Sequence, residues 1–272
     1  MAEDVLKAIQ VLKETLYQDK VYTALAILRE RSAPDFRKVA LSELRVFSQN
    51  GEDGILYDLV SVLDPPQFFV SIGGGDGWSS NTRLWSDVFG WGGVAFEADS
   101  ESFAQLSLRL GQRSRLRASH DMVTPETVNE LLESNGVPEE FGILDIDIDG
   151  QDYWVWESLS ERWRPHIVVC EYNSLFGNER LEVERKSHDV SEMSETWGAS
   201  LRALEALGKK KGYDLVYAEM AGVNAFFIRT DLNPGMSFSK ERTPNYGLRG
   251  LPHPIEVTHP NGGTQVRPLA QL

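Results

Sequence analysis

Two periods of hydrophobic spacing divide this chain. Up to about residue 46, apolar side chains recur at helical intervals: Val5, Ile9, Leu12 and Leu16 form one stripe and Val21 to Leu28 another, with Pro34 behind them. Such stripes predict amphipathic helices that pack on the rest of the chain, or on a second copy of it. From Glu52 onward helical stretches alternate with short apolar runs. The pattern predicts helix Glu52–Leu63, strand Phe68–Ile72, helix Asn81–Phe89, strand Gly93–Ala98, helix Glu101–Leu110 and a strand at Arg115–Val123. It continues with helix Pro125–Asn135, started by Thr124 as N-cap and Pro125 at the first helical position, then strand Ile143–Asp149 and helix Asp152–Arg162. Strand His166–Tyr172, a long polar segment and helix Ala199–Lys210 follow.

This rhythm implies a doubly wound α/β domain with a mostly parallel sheet. The ending departs from it. Tyr213–Met220 and Ala225–Thr230 are separated only by Ala221-Gly222-Val223-Asn224, too few residues for a crossover helix, so the seven-stranded sheet closes with an antiparallel hairpin. The predicted organisation is a helical appendage over 1–46, the α/β domain over 47–232, and a Pro- and Gly-rich tail from Asn233 to Leu272. The appendage and the tail are the surfaces through which the chain would form a homo-oligomer.

Composition restricts the partners. With 41% hydrophobic residues, a chain of 272 residues buries a full core. A formal charge of −14 argues against a broad nucleic-acid or anionic-membrane surface and for a small-molecule ligand. The only cysteine, Cys170, follows the apolar run Ile167-Val168-Val169, and there is neither a signal-peptide pattern nor a membrane-length apolar stretch. These features predict a soluble protein of the reducing cytoplasm.

In open α/β sheets, ligands sit beyond the carboxyl ends of the strands. The first strand runs into Gly73-Gly74-Gly75-Asp76-Gly77, where glycine permits a sharp turn and close approach to a ligand. The second ends at Glu97, 20 residues beyond Gly77, the placement of an acid that accepts hydrogen bonds from a ribose diol. The segment 144–156, LDIDIDGQDYWVW, carries Asp145, Asp147 and Asp149 on alternate positions. It opens like an EF-hand loop, but its twelfth position is Trp156 where that loop needs Glu, and a strand precedes it. Asp147 and Asp149, with Glu171 and Asn173 at the next strand end, form an oxygen-ligand set suited to magnesium or calcium. Asp145, earliest in the strand, is expected to survive by hydrogen bonding to backbone amides or a helix end.

Taken together, the glycine loop, Glu97, the strand ending in LDIDIDG and the closing hairpin resemble a class I S-adenosylmethionine-dependent methyltransferase of the FkbM type, over roughly residues 47–232. The resemblance implies the Rossmann-like methyltransferase fold. It implies that Gly73, Gly75 and Gly77, with Asp76, line S-adenosylmethionine, that Glu97 holds its ribose, and that Asp147 and Asp149 are catalytic. The loop itself departs from the family, which has Asp-x-Gly-Ala-Asn there. The metal set is positionally similar to that of the catechol O-methyltransferases, implying Mg²⁺. FSQNGEDG, residues 47–54, reads as a helix start capped by Asn50 or as a polar lip bringing Gln49 to the cofactor. His120 and His188 are the histidines placed to act as general base, and Ser174–Gly198 reads as a substrate cover. The implied reaction is methyl transfer to a hydroxyl, or an amine, of a small polar metabolite or natural product. A nicotinamide-dependent oxidoreductase and a non-catalytic cofactor-binding scaffold are the alternatives.

Overall fold

A computed structural model describes residues 11–12, 15, 17–24, 26–27, 43–111, 113–177, 179–184, 186 and 197–238. The elements run α1 (described over 17–24), α2 (Glu52–Leu63), β1 (Phe68–Ile72), α3 (Arg83–Asp87), β2 (Gly92–Glu97), α4 (Ser100–Leu110) and β3 (Leu116–His120). They continue through α5 (Val128–Ser134), β4 (Glu140–Ile146), α6 (Asp152–Ser158), β5 (Arg164–Glu171), α7 (Leu201–Lys211), β6 (Tyr213–Ala218) and β7 (Asn224–Arg229). The strands form one seven-stranded sheet in the order β3-β2-β1-β4-β5-β7-β6. Every pairing is parallel except those of β7, which runs antiparallel to both β5 and β6. This is the Rossmann-like methyltransferase topology, closed by the hairpin that the short 221–224 turn demands.

Each central strand is buried on both faces, so its residues divide alternately between two cores. Val70, Phe96, Leu144, Ile146 and Val168 pack with α5, α6 and α7 through Val128, Leu132, Trp156 and Leu204. Phe69, Ala95, Ile143, Ile167 and Val169 pack on the other face with α2 and α4 through Leu56, Leu59 and Leu106. Trp156 is fully buried, with its ring centroid 4.8 Å from that of Phe227. That placement makes it a core residue.

Several boundaries differ from the periodicity. Strand β4 ends at Ile146, so Asp145 lies inside the ladder and Asp147 and Asp149 lie beyond it. The helix expected from Pro125 begins at Val128, because Thr124 closes a turn, its carbonyl accepting from Thr127 and Val128. The cap of α2 is Gly51 at φ 115°, not Asn50.

The described part of the appendage docks on the domain: Val21 and Ala24 pack with Val46, Phe47 and Leu84. Arg83 sits over the rings of Phe47 and Trp78, donates to the Tyr17 hydroxyl, and pairs with Asp87. Val5, Ile9, Leu16 and the tail from 239 onward, on which self-association was expected to rest, lie outside the described residues. Among the described residues, no helix is long and apolar enough to cross a membrane.

Candidate active site

A cavity of about 550 Å³ opens at the carboxyl ends of β1, β2, β4 and β5. Gly73 and Gly75 line one wall, Glu97 another, and Asp147, Asp149 and Glu171 the floor, while Gln49 reaches in from the segment ahead of α2. The β3–α5 connection completes it with Met122 to Pro125.

The glycine loop is held by its backbone. Gly73 and Gly74 both donate to the Phe96 carbonyl, at 3.1 and 2.9 Å. Gly73, at φ 85°, lies so close to β4 that a Cβ would come within 1.7 Å of the Asp147 carbonyl oxygen. Gly75, at φ 54°, has nothing within 4 Å of where its Cβ would be, because that side faces the cavity. Its amide donates to Glu97 Oε2 at 2.7 Å, and the Asp99 amide donates to Glu97 Oε1 at 2.7 Å. Two charge-assisted bonds therefore hold the Glu97 carboxylate at the cavity edge.

Two members of the loop have different work from that expected. Gly77 does not line the cavity; a Cβ there would meet Arg109 Nε at 2.6 Å and Leu106 Cδ1 at 2.7 Å, so it is glycine to let the loop lie on α4. Asp76 does not line it either, its Oδ1 accepting from the Trp78 amide at 2.8 Å.

The three aspartates have three environments. Asp145 is buried and accepts from Asn81 Nδ2 at 3.0 Å and Ser71 Oγ at 3.2 Å, side-chain donors rather than the expected backbone amides. Burial pushes its carboxyl up to about 6, with Glu52 and Asp152 adding to the rise. Asp147 is half-buried, and desolvation followed by the charges of Asp145, Asp152 and Asp149 raises it well above the ordinary range. Asp149 is exposed and sits at φ 54°, one of two left-handed non-glycine residues among those described. The turn is fixed by Asp152, whose carboxylate accepts from the Ile148 and Gly150 amides, both at 2.9 Å.

Asp147, Asp149 and Glu171 bring carboxylate oxygens within 4.8 Å of one another. Asn173 does not join them. It is buried, its Oδ1 accepts from the Leu175 amide and its Nδ2 donates to the Trp197 carbonyl, both at 2.9 Å. His120 is not placed as a base: its ring stacks on Phe103 with centroids 4.6 Å apart, near the Ala98 carbonyl, and does not line the cavity. His188 lies outside the described residues.

FSQNGEDG folds around its own acids. Asp53 Oδ2 accepts from the amides of Val46, Phe47 and Ser48 at 2.9, 2.6 and 2.7 Å, and from Ser48 Oγ. Glu52 accepts from the Asn50 amide at 2.7 Å and from Asn224 Nδ2, on the terminal hairpin, at 3.1 Å. The segment after β5 is tied down where described: Val183 bridges Ala199, and Trp154 Nε1 donates to the Glu184 carbonyl at 2.9 Å. Trp154 thus anchors this segment, and Tyr153, Trp154 and Trp156 are absent from the cavity wall.

No family model and no curated relative matches this sequence. Solved structures match this chain weakly. The N-terminal domain of EvdMO1 with S-adenosylhomocysteine bound is 10% identical with a TM-score of 0.43, covering 78% of this chain and 94% of that one. A putative RNA methyltransferase from Pyrococcus horikoshii is 12% identical with a TM-score of 0.41, covering 78% and 96%. A SAM-dependent methyltransferase from Geobacter sulfurreducens in complex with S-adenosyl-L-homocysteine is 19% identical with a TM-score of 0.38, covering 70% and 76%. At these values no residue correspondence is carried across, and the chemistry of this site rests on its own geometry.

Proposed function

We propose that the chain is an S-adenosylmethionine-dependent methyltransferase acting on a hydroxyl, or an amine, of a small polar metabolite or natural product. The observation that carries this reading is the charge of the cavity wall. Glu97, Asp99, Asp121, Asp147, Asp149 and Glu171 line it, and among the described residues no Lys, Arg or His does. A nicotinamide dinucleotide would place a pyrophosphate beside the glycine loop, and such anions call for basic side chains or a helix amino end. Neither is present there: five residues separate Gly77 from α3, and the wall is acidic. A sulfonium nucleoside brings positive charge to the same space, with Glu97 at the strand end where an acid accepts from a ribose diol.

Asp147, Asp149 and Glu171 are hard oxygen donors close enough together to hold a divalent cation such as Mg²⁺. When bound, a cation there offsets their repulsion and lowers the pKa of an acceptor hydroxyl. Without a cation, Asp147 or Asp149 on that floor would take the proton the acceptor gives up.

Calorimetry with S-adenosylmethionine and S-adenosylhomocysteine tests the cofactor, and absence of binding by both sinks the proposal. A nicotinamide fluorescence titration addresses the dehydrogenase reading. For the cation, excess chelator is expected to abolish methyl transfer with S-adenosylmethionine affinity nearly unchanged and Mg²⁺ restoring the rate; full activity in chelator removes the metal and leaves Asp147 or Asp149 as a direct base. Cofactor binding without turnover across a broad acceptor panel would favour a scaffold.

A further inference from the structure

Gln49 and Ser79 line the cavity from two separate loops, one ahead of α2 and one ahead of α3. Gln49 lies two residues after Phe47, and Ser79 directly follows Trp78. Each loop has its own anchor. Asp53 accepts from the amides of Val46, Phe47 and Ser48 in the first, and Asn81 Nδ2 of the second donates to Asp145 Oδ1 at 3.0 Å. Arg83, the first residue of α3, joins the two loops to each other.

Arg83 is 4% exposed and does not line the cavity. Its guanidinium carbon lies 4.4 Å from the ring centroid of Phe47, 4.6 Å from that of Trp78, and 5.5 Å from that of Tyr17 on α1. All three of its nitrogens are engaged. Nη1 donates to the Trp78 carbonyl at 2.7 Å, Nε to Asp87 Oδ2 at 3.0 Å, and Nη2 to the Tyr17 hydroxyl. Asp87 also accepts from Arg109 Nη1 at 2.8 Å, and Arg109 lies under Gly77 of the glycine loop.

Burying a charged side chain carries a desolvation cost that a well-packed apolar residue avoids, so packing alone gives no reason for an arginine here. A guanidinium is planar: it lies against aromatic faces while its edge donates at fixed angles, which neither an apolar side chain nor a lysine does. Arg83 uses that shape to hold one loop by its ring, the other by ring and carbonyl, and the appendage by a hydroxyl.

We infer that Arg83 is a positioning residue that sets Gln49 and Ser79 at the cavity mouth and makes ligand affinity depend on the docked appendage. It stands outside the cavity wall and acts through Phe47 and Trp78. The nucleoside part of the test rests on the proposed function; the hydrogen-exchange part does not.

The test compares full-length wild type with Arg83→Lys and Tyr17→Phe. Hydrogen exchange of the ligand-free proteins, read by mass spectrometry, follows the loops at 47–50 and 78–82 against strand β5. Calorimetry gives the affinity for S-adenosylhomocysteine, in the wild-type background and in a Gln49→Ala, Ser79→Ala double variant. Positioning predicts that exchange in both loops accelerates by more than any change in β5, the mark of local rather than global opening. It predicts that affinity falls about tenfold or more in Arg83→Lys and about threefold or more in Tyr17→Phe. In the double variant Arg83→Lys should cost little further, because residues that act through one another are not additive. Exchange that rises as much in β5 as in the loops, or in neither loop, overturns the inference. Unchanged affinity in Arg83→Lys, or its full loss repeated in the double variant, does the same. If S-adenosylhomocysteine does not bind wild type, the methyltransferase reading fails and hydrogen exchange alone decides the role of Arg83. Should Arg83→Lys not fold, Tyr17→Phe, which leaves the bonds of Arg83 to Trp78 and Asp87 in place, carries both measurements.

Discussion

Replacing Gly73 by alanine tests whether the glycine loop is built by contact with β4. The added methyl would start 1.7 Å from the Asp147 carbonyl oxygen and 2.7 Å from its carbon, with the backbone held at φ 85°. A carbon and an oxygen need roughly 3.2 Å, so the loop or the end of β4 must move by about 1.5 Å, since close-packed interiors leave no slack. The left-handed conformation costs about 1–2 kcal/mol for a residue with a Cβ, and forced overpacking adds about 1–3 kcal/mol. Gly73→Ala is thus expected to lower the unfolding free energy by about 2–5 kcal/mol. It should also weaken nucleoside binding, because Asp147, on the cavity floor, is the residue displaced.

Gly75→Ala is the matched control, with φ 54° and nothing within 4 Å of the new methyl. It should cost only about 1 kcal/mol in stability, yet lose nucleoside affinity tenfold or more because the methyl projects into the cavity. Urea denaturation and calorimetry with S-adenosylhomocysteine on both variants read the two effects separately. Gly73→Ala within about 0.5 kcal/mol of wild type, a difference typical of innocuous surface changes, would refute the contact argument. Unchanged affinity in Gly75→Ala would remove that glycine from the ligand site.

Three further outcomes follow from the same geometry. Glu97→Gln keeps one acceptor where the carboxylate had two, so it cannot meet the Gly75 and Asp99 amides together; hydrogen bonds to charged groups are worth about 1.5–3 kcal/mol, and adenosine-ligand affinity should fall about tenfold to a hundredfold by calorimetry. Asp53→Ala strands the amides of Val46, Phe47 and Ser48 and should cost about 3 kcal/mol or more by denaturant titration, with a loss under about 1 kcal/mol showing that water replaces the carboxylate. Burial lifts Asp145 and Asp152 from 3.8 to about 6, so the native state holds protons the unfolded chain has released; the stability this gives is present at pH 4 and lost as pH rises through 6, on the order of 3 kcal/mol per group. The ligand-free denaturation midpoint should therefore fall as pH rises from about 4 to 6, and a midpoint that rises over that range contradicts these buried environments.

What the sequence makes legible here is whatever depends on local spacing. The alternation of apolar runs locates all seven strands among the described residues, and the four residues between Met220 and Ala225 are enough to require the hairpin. Glu97 is readable because strand-end position and chain separation alone define it. Residues whose role comes from a distant partner are not readable. Asn224 looks like a turn residue, and only its contact with Glu52, 172 positions away, ties the terminal hairpin to the start of α2. Asn173 has the chemistry of a metal ligand, but the bonds to Leu175 and Trp197 that occupy it depend on how the following segment returns. Asp152 could have been found, since an acid opening a helix after Asp-Gly is a common way to hold a turn. Gly77 and Gly73 look alike in the sequence and differ only in whether α4 or β4 lies beneath them.

The crowding of acids at this end of the sheet is resolved locally in only some places. Asp53 and Asp152 accept from backbone amides and Asp145 from Asn81 and Ser71, bonds that offset but do not cancel the rise that burial causes in each. Glu219, beside Glu52, accepts from the Val223 and Asn224 amides, yet burial first and the Glu52 charge second still hold it well above the ordinary carboxylate range. For Asp147 desolvation and neighbouring charge all act in the same direction. Buried negative charge without a basic partner has two remedies, a proton or a cation. The two compete for the same carboxylates, so positive charge in the main cavity would draw these groups toward ionisation. On the proposed function, these carboxylates are what would give the cavity a preference for a cationic ligand over a neutral one, set against the cost of burying their charge. An alanine or leucine at Asp147 would then relieve that cost and abolish that preference, which a purely structural role for the carboxylate does not predict.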